Sequence, residues 1–302
     1  MSDRALTFEQ VTRRFGRTTA VDRLDLTVEH GSVLGLVGRN GAGKTTSLRL
    51  ALGMLYADGG RIRVLGLDPV AQAREVRTRV SLLSEESYLY PWMTVREVLE
   101  FGAALHPRWD DALAEKLSKR LELEPDKRIQ ALSRGTKAKV ALVLGVACRP
   151  ELLLLDDPTA GLDPLVRREV LQGVLEAVPE QGGAVVYASH LIHDVERVAD
   201  RVAFLDDGQV RLEGSVEELK GEVRRVTAVF GEGAPQNPVL PGQLHVQSDG
   251  RVLSVVARGA SDDLVARVRE LGATEVEVEP MSLEEIVVAC LRRNGATEAE
   301  HA

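Results

Sequence analysis

Cysteine is nearly absent from this chain: Cys148 and Cys290 are the only two in 302 residues. They lie far apart, inside apolar helical patterns where a thiol behaves as a small hydrophobe, so a disulfide scaffold is excluded and a reducing compartment is indicated. No uncharged apolar run approaches the ~20 residues needed to cross a bilayer. Met1-Ser2-Asp3-Arg4 leads into a strand-like pattern instead of an apolar signal core, which predicts a chain that stays in the cytosol and reaches a membrane only through a partner. Positive charge is also short. With 46 acidic against 38 basic side chains the formal net charge is -8, and no global field exists to hold a nucleic-acid backbone. Internal repeats and low-complexity tracts are missing as well.

What remains is globular. Hydrophobic residues at 44% and charged residues at 28% exclude a mainly disordered chain, and 302 residues predict one large domain with a smaller appendix. Residues 6–37 read as short strands, with Leu24, Leu26 and Val28 alternating with polar residues and turns at Gly16 and His30-Gly31. A further strand signal, Ile62-Arg63-Val64, follows Asp58-Gly59-Gly60, and together these predict a small antiparallel β subdomain beside a main core. Apolar residues at helical spacing over 95–105 and 113–123 predict a helical insertion, about 86–147. Buried-strand runs at 152–155, 184–188 and 202–205 alternate with helices over 165–178 and 191–198, the pattern of an α/β fold with a covered, mostly parallel sheet.

Beyond Lys220 the Pro-containing stretch 233–242 reads as a loop or linker. After it come two strands joined at Ser248-Asp249-Gly250, a helix over 261–271, a strand over 274–278 and a helix over 283–293. The expected domains are therefore 1–220, an α+β accessory domain over 221–295, and a disordered tail over 296–302.

Gly38-Arg39-Asn40-Gly41-Ala42-Gly43-Lys44-Thr45 fits G-x-x-x-x-G-K-[ST], with an apolar strand before it and a helical run from Thr46 after it. A polyphosphate needs many donors at short range. Glycines let backbone N–H groups close around it, and the helix N-terminus adds favourable partial charge. In this reading Lys44 neutralises the β- and γ-phosphates of ATP and the Thr45 hydroxyl binds Mg2+. The strand Glu151-Leu152-Leu153-Leu154-Leu155-Asp156-Asp157 ends in two carboxylates, one to bind magnesium (Asp156) and one to polarise an attacking water (Asp157). Such strand ends also occur as plain helix caps, and the pairing with the phosphate loop gives this one its meaning.

Three more segments complete a resemblance. Leu132-Ser133-Arg134-Gly135-Thr136, Asp157-Pro158-Thr159-Ala160-Gly161-Leu162-Asp163 and Ala188-Ser189-His190 resemble, in order and spacing, the signature, D-loop and switch histidine of ABC-transporter ATPases, over roughly residues 4–220. The appendix, and the stretch from Pro164 to Arg168 onward, look like the subgroup that serves ABC-2-type permeases. The resemblance implies a P-loop NTPase core that forms a homodimer or heterodimer, two ATP molecules being sandwiched head to tail. Ser133 and the Gly135 amide then face the γ-phosphate of the opposite site, with Asp163 in the D-loop. His190 senses the γ-phosphate, and Phe15 occupies the place of an aromatic that stacks on adenine. The implied function is that of a motor at the cytoplasmic face, energising a separate transmembrane permease whose cytoplasmic helix docks on the helical insertion.

The chain departs from the family pattern at four positions. Glu85 stands where glutamine is usual; a carboxylate still contacts magnesium or water but cannot donate a hydrogen bond. Asp157 stands where glutamate is usual, one methylene closer to the backbone. Arg134 and Thr136 replace glycine and glutamine in the signature, and Arg134 is expected either near the opposite phosphate or in solvent. The shorter Asp157 predicts slow hydrolysis with binding intact. A soluble ABC ATPase acting on nucleic acid or the ribosome is the alternative; such relatives carry paired domains, coiled-coil insertions or zinc-finger cysteines, none of which is present. A GTPase or metabolic kinase is disfavoured by the signature and by the lack of an Asn-Lys-x-Asp motif.

Overall fold

The computed structural model describes residues 4–84, 89–177, 182–259 and 262–291. Glu85 and the tail 296–302 lie outside the described residues. The chain forms two compact units, Met1–Val210 and Arg211–Ala302.

Alternation of apolar and polar residues builds the first sheet of unit one. Strands β1 (Arg4–Phe15) and β2 (Thr18–Glu29) pair antiparallel, and β4 (Gly59–Val64) lies on the other edge of β1, giving the order β2-β1-β4. Leu6 is the hinge of this packing, opposite Val28 on one side and Val64 on the other. The turns fall at Gly16 and His30-Gly31, as the sequence predicts.

Continuous apolar runs build the second sheet. β3 (Val33–Val37), β5 (Val80–Ser84), β6 (Leu152–Asp156), β7 (Ala184–Ser189), β8 (Arg201–Asp206) and β9 (Gln209–Ser215) lie in the order β5-β6-β7-β3-β8-β9. The pairs β5/β6, β6/β7, β7/β3 and β3/β8 are all parallel. Every residue of β3 and β7 is buried, as parallel strands covered on both faces require. Leu34, Leu36, Leu154 and Val186 share one core with Leu6, Leu24 and Leu26, so the two sheets are packed into a single body. Connecting helices are α1 (Lys44–Ala51), α2 (Ala73–Arg79), α6 (Pro164–Ala177) and α7 (Ile192–Glu196).

Register decides where chemistry can happen. Ser84 lies opposite Asp156, Asp156 opposite Ala188, and Val37 opposite Ser189. The carboxyl ends of four strands are therefore level, and the segments leaving β3, β6 and β7 converge on one crevice, the usual ligand position in open parallel sheets.

The helical insertion contains α3 (Val95–Leu105), α4 (Asp111–Arg120) and α5 (Arg134–Ala147) around a core of Val95, Val98, Ile129, Leu132 and Val140. Caps set the boundaries. Thr94 and Glu97 form a reciprocal capping box on α3, and Ser133 accepts from the Thr136 amide at the start of α5. Asp110 accepts from the Leu113 amide, so α4 begins two residues ahead of the first apolar periodic position. At the far end of the parallel sheet, Glu151 is held by Arg79 of α2 and by Arg108 of the insertion.

Unit two begins inside β9 and continues through α8 (Val216–Glu222), β10 (Val223–Phe230), β11 (Gln243–Asp249), β12 (Val252–Arg258), α9 (Asp262–Glu270), β13 (Ala273–Pro280) and α10 (Leu283–Leu291). The sheet order is β11-β12-β10-β13, antiparallel throughout. The central strand β10 is absent from the sequence reading, because Arg224 and Arg225 break its apolar run; Val226 is nevertheless buried in the core with its partner Val255, and its neighbour on the other side, Val278, is exposed. The Pro-containing stretch is an internal loop from β10 to β11, pinned by the Ala234 amide on Gly250 O and by Ser248 Oγ on Pro235 O.

Candidate functional site

The phosphate loop is boxed in by neighbouring backbone. Gly38 leaves β3 so close to Leu205 O that a Cβ there would collide with it, and Gly43 (φ 106°) lies against Ala20 O in a left-handed conformation open to glycine. Ala42 O accepts from the Gly208 amide, tying the loop to the turn after β8. Asn40 and Gly41 (φ 85°) form the exposed tip, and Ala42 is buried beneath it. Gly43 then caps α1 with no side chain in the way, leaving the first amides of the helix, including those of Lys44, Thr45 and Thr46, directed at the crevice.

Lys44 is buried, and its Nζ donates to Gly38 O at 2.7 Å and Arg39 O at 3.2 Å. Burial lowers its pKa, with Asp157 and Asp156 opposing only in part. The Thr45 hydroxyl donates to Asp156 Oδ1 at 2.9 Å. Burial raises the pKa of Asp156; the Thr45 hydrogen bond opposes it, the Asp157 charge adds to it, and Arg49 and Lys44 oppose it. Both charged groups are thus undercompensated: an ammonium short of anion beside a carboxylate short of cation. A magnesium–nucleotide pair brings both at once. The 2.9 Å between Thr45 Oγ1 and Asp156 Oδ1 also matches the edge of an octahedron with bonds of about 2.1 Å, so the donor set fits magnesium.

Asp157 follows β6 in a left-handed conformation (φ 44°), which a short carboxylate tolerates better than most side chains. Its amide donates to Ala188 O. Three donors converge on its Oδ1: Ser189 Oγ at 2.9 Å, the His190 amide at 3.3 Å, and His190 Nδ1 at 3.0 Å in the tautomer that carries the proton there. Asp157 Oδ2 takes no protein donor among the described residues. Ser189 has no role legible from local spacing; the available signal is a hydroxyl ending an apolar strand directly before the histidine, and only the β6/β7 register shows what it touches.

The signature and D-loop meet within the same chain. Ser133 is exposed at the N-terminus of α5, its Oγ 2.8 Å from Thr136 Oγ1, and Gly135 packs against Val166. The Arg134 guanidinium lies against Gly161, where a Cβ would collide with it, while the residue as a whole stays exposed. Asp163 accepts from the amides of Leu165 and Val166, both at 3.1 Å, and so starts α6. Phe15 is 46% exposed with the Arg13 guanidinium over its ring. Cys148 is buried and unpaired, its thiol pushed up to about 11 by desolvation, which makes it inert. No helix among the described residues is long and apolar enough to cross a membrane.

Comparison with known proteins fits this geometry. The family described as ABC transporter matches residues 21–160. The ATP-binding protein YtrB of Bacillus subtilis is 30% identical, with 93% of this chain and 96% of that protein aligned. The daunorubicin resistance ATP-binding protein DrrA3 of Streptomyces coeruleorubidus is 35% identical over 94% of this chain and 93% of that protein. Among solved structures, an ATP-binding subunit of an ABC transporter superposes with a TM-score of 0.65 at 25% identity, covering 72% of this chain and 92% of that one. These relatives favour the transporter reading over the nucleic-acid alternative. The chain belongs to the ATP-binding proteins of ABC transporters and is an ATPase of that family.

Proposed function

We propose that this chain is a slow motor subunit working at the cytoplasmic face on a separate permease of the ABC-2 type. Residues 1–220 form the ATP-binding domain, with a helical subdomain at about 86–147, and residues 221–295 form an accessory domain. The observation that carries the reading is the buried Lys44 folded back on Gly38 O beside the Thr45–Asp156 pair, all set at a glycine-built cradle.

In this mechanism the loop amides and Lys44 hold the β- and γ-phosphates, and Phe15 supports the adenine. Thr45 and Asp156 would hold magnesium, with Glu85 next to Ser84 as a further oxygen ligand; bound there, the ion neutralises phosphate charge. Ser189 and His190 anchor Oδ1 of Asp157, leaving Oδ2 to accept from and orient the attacking water. His190 also reports the γ-phosphate. Ser133, Gly135 and Asp163 complete the opposite site in a homodimer or heterodimer, and dimer closure and opening pass to the permease through the helical insertion.

The test is magnesium-dependent binding of a fluorescent ATP analogue. Lys44→Ala is expected to weaken it by about a hundredfold, the loss of one to two charge-assisted hydrogen bonds; undiminished affinity would overturn the proposal. Recovery of a hydrophobic permease in detergent with the tagged chain tests the partner, and recovery of ribosomes or DNA instead would reverse it.

A further inference from the structure

Away from the nucleotide crevice, α6 and the end of α7 in unit one border an open cavity of about 310 Å³ lined by Arg167, Arg168, Arg197 and Gln172, with Asp194 as its one carboxylate. That carboxylate is already engaged. Asp194 is buried, and its Oδ2 accepts from Thr159 Oγ1 at 3.1 Å and Tyr187 OH at 3.4 Å. Arg167 Nε is 3.6 Å from the same oxygen, within ion-pair range, yet it is shielded from solvent and has no hydrogen-bond acceptor. The side chains of Arg168 and Arg197 make no hydrogen bond or ion pair among the described residues. Three guanidinium groups therefore share one concavity with a single, occupied counter-charge.

Like charges gathered in this way repel, and the repulsion is relieved by an anion with several oxygens. Guanidinium forks match phosphate oxygens two at a time, and Arg167 lies within ion-pair range of the buried Asp194, whose own carboxylate is fixed by Thr159 and Tyr187. The volume lies at the small end of small-molecule sites, about 300–1,000 Å³, enough for a phosphate with a short organic remainder. We propose that this cavity is an anion site for a phosphomonoester, separate from the phosphate loop and independent of the proposed motor function.

The experiment uses the full chain carrying Lys44→Ala, which removes the phosphate loop as a competing site, at constant ionic strength. Glycerol 3-phosphate is titrated by calorimetry, and vesicles with and without phosphatidic acid are tested by co-sedimentation. Saturable binding that falls at least about tenfold in an added Arg168→Gln/Arg197→Gln pair supports the site. Binding of glycerol 3-phosphate then identifies a soluble ligand, and binding confined to phosphatidic-acid vesicles identifies a lipid headgroup. Partial recovery in the Arg168→Lys/Arg197→Lys pair is expected, because charge returns without the fork. Absent or non-saturable binding, or binding equal in the glutamine pair, overturns the proposal. In the chain with Lys44 intact, the glutamine pair is expected to keep its ATP affinity, which shows that the fold is preserved and separates this result from any failure of the motor reading.

Discussion

Strand β6 starts beside Glu151 and ends at Asp156, and the two carboxylates sit in opposite electrostatic surroundings. Glu151 accepts from Arg79 Nε at 2.9 Å and Nη2 at 2.7 Å, and from Arg108 as well. These arginines hold its carboxyl down to about 2 despite partial burial. Asp156 is pushed the other way by burial and by its acidic neighbour Asp157, with only Thr45, Arg49 and Lys44 opposing. One strand thus separates a tie from a site. The tie has its counter-charges built in and joins the sheet to the helical insertion, whereas the site is left short of positive charge that a ligand must supply.

The largest test of this contrast is Asp156→Asn. Steady-state turnover is expected to fall at least about a hundredfold, because the carboxylate proposed to hold magnesium is lost. Stability of the ligand-free chain is expected to rise. A raised folded-state pKa means that ionised Asp156 costs stability near neutral pH, a cost that disappears as the pH falls and the group protonates. Thermal melts at pH 7 and pH 4 check both signs; a destabilised variant at pH 7 would break the comparison.

Asp157→Glu sharpens it. Lengthening the carboxylate by one methylene is expected to raise turnover by about tenfold, through better contact with the attacking water. A slight loss of stability should accompany it, since the left-handed backbone at this position suits Asp better than Glu. Turnover that fails to rise in a steady-state phosphate-release assay would count against the slow-motor reading.

The smallest expected effects are at the other end of the strand. Glu151→Gln should leave ATP affinity unchanged while lowering the melting temperature by about 2–4 °C at pH 7, the scale of a partly exposed ion pair. A depressed folded-state pKa contributes stability that is present above the ordinary value of 4.5 and lost as the pH falls towards about 2. The difference between variant and parent should therefore vanish over that window. Arg79→Ala should cost more than Arg108→Ala, because the Arg79 hydrogen bond contributes most to holding Glu151 ionised.

Much of the site is legible in the sequence because its parts are local. The amides of the phosphate loop, Lys44 and Thr45 belong to one short segment, and its glycines, strand and helix are all visible in residues 33–52. The parallel strands are equally plain as apolar runs. β10 is not, because a strand interrupted by two arginines shows its buried face only when Val255 and Leu253 of β12 are placed beside Val226 and Ala228. Arg134 likewise finds its place only when Gly161 approaches it through space.

The sequence by itself determined the family, the α/β class and which groups are the candidates to meet a nucleotide, since these rest on residue type and short-range spacing. Tertiary structure alone decided their electrical state. Register places Ser189 and His190 on the Oδ1 of Asp157, packing removes water from Lys44 and Asp156, and folding carries Arg79 and Arg108 to Glu151. Desolvation and charge pairing depend on distances across the fold, and those distances come only from the way strands and helices pack.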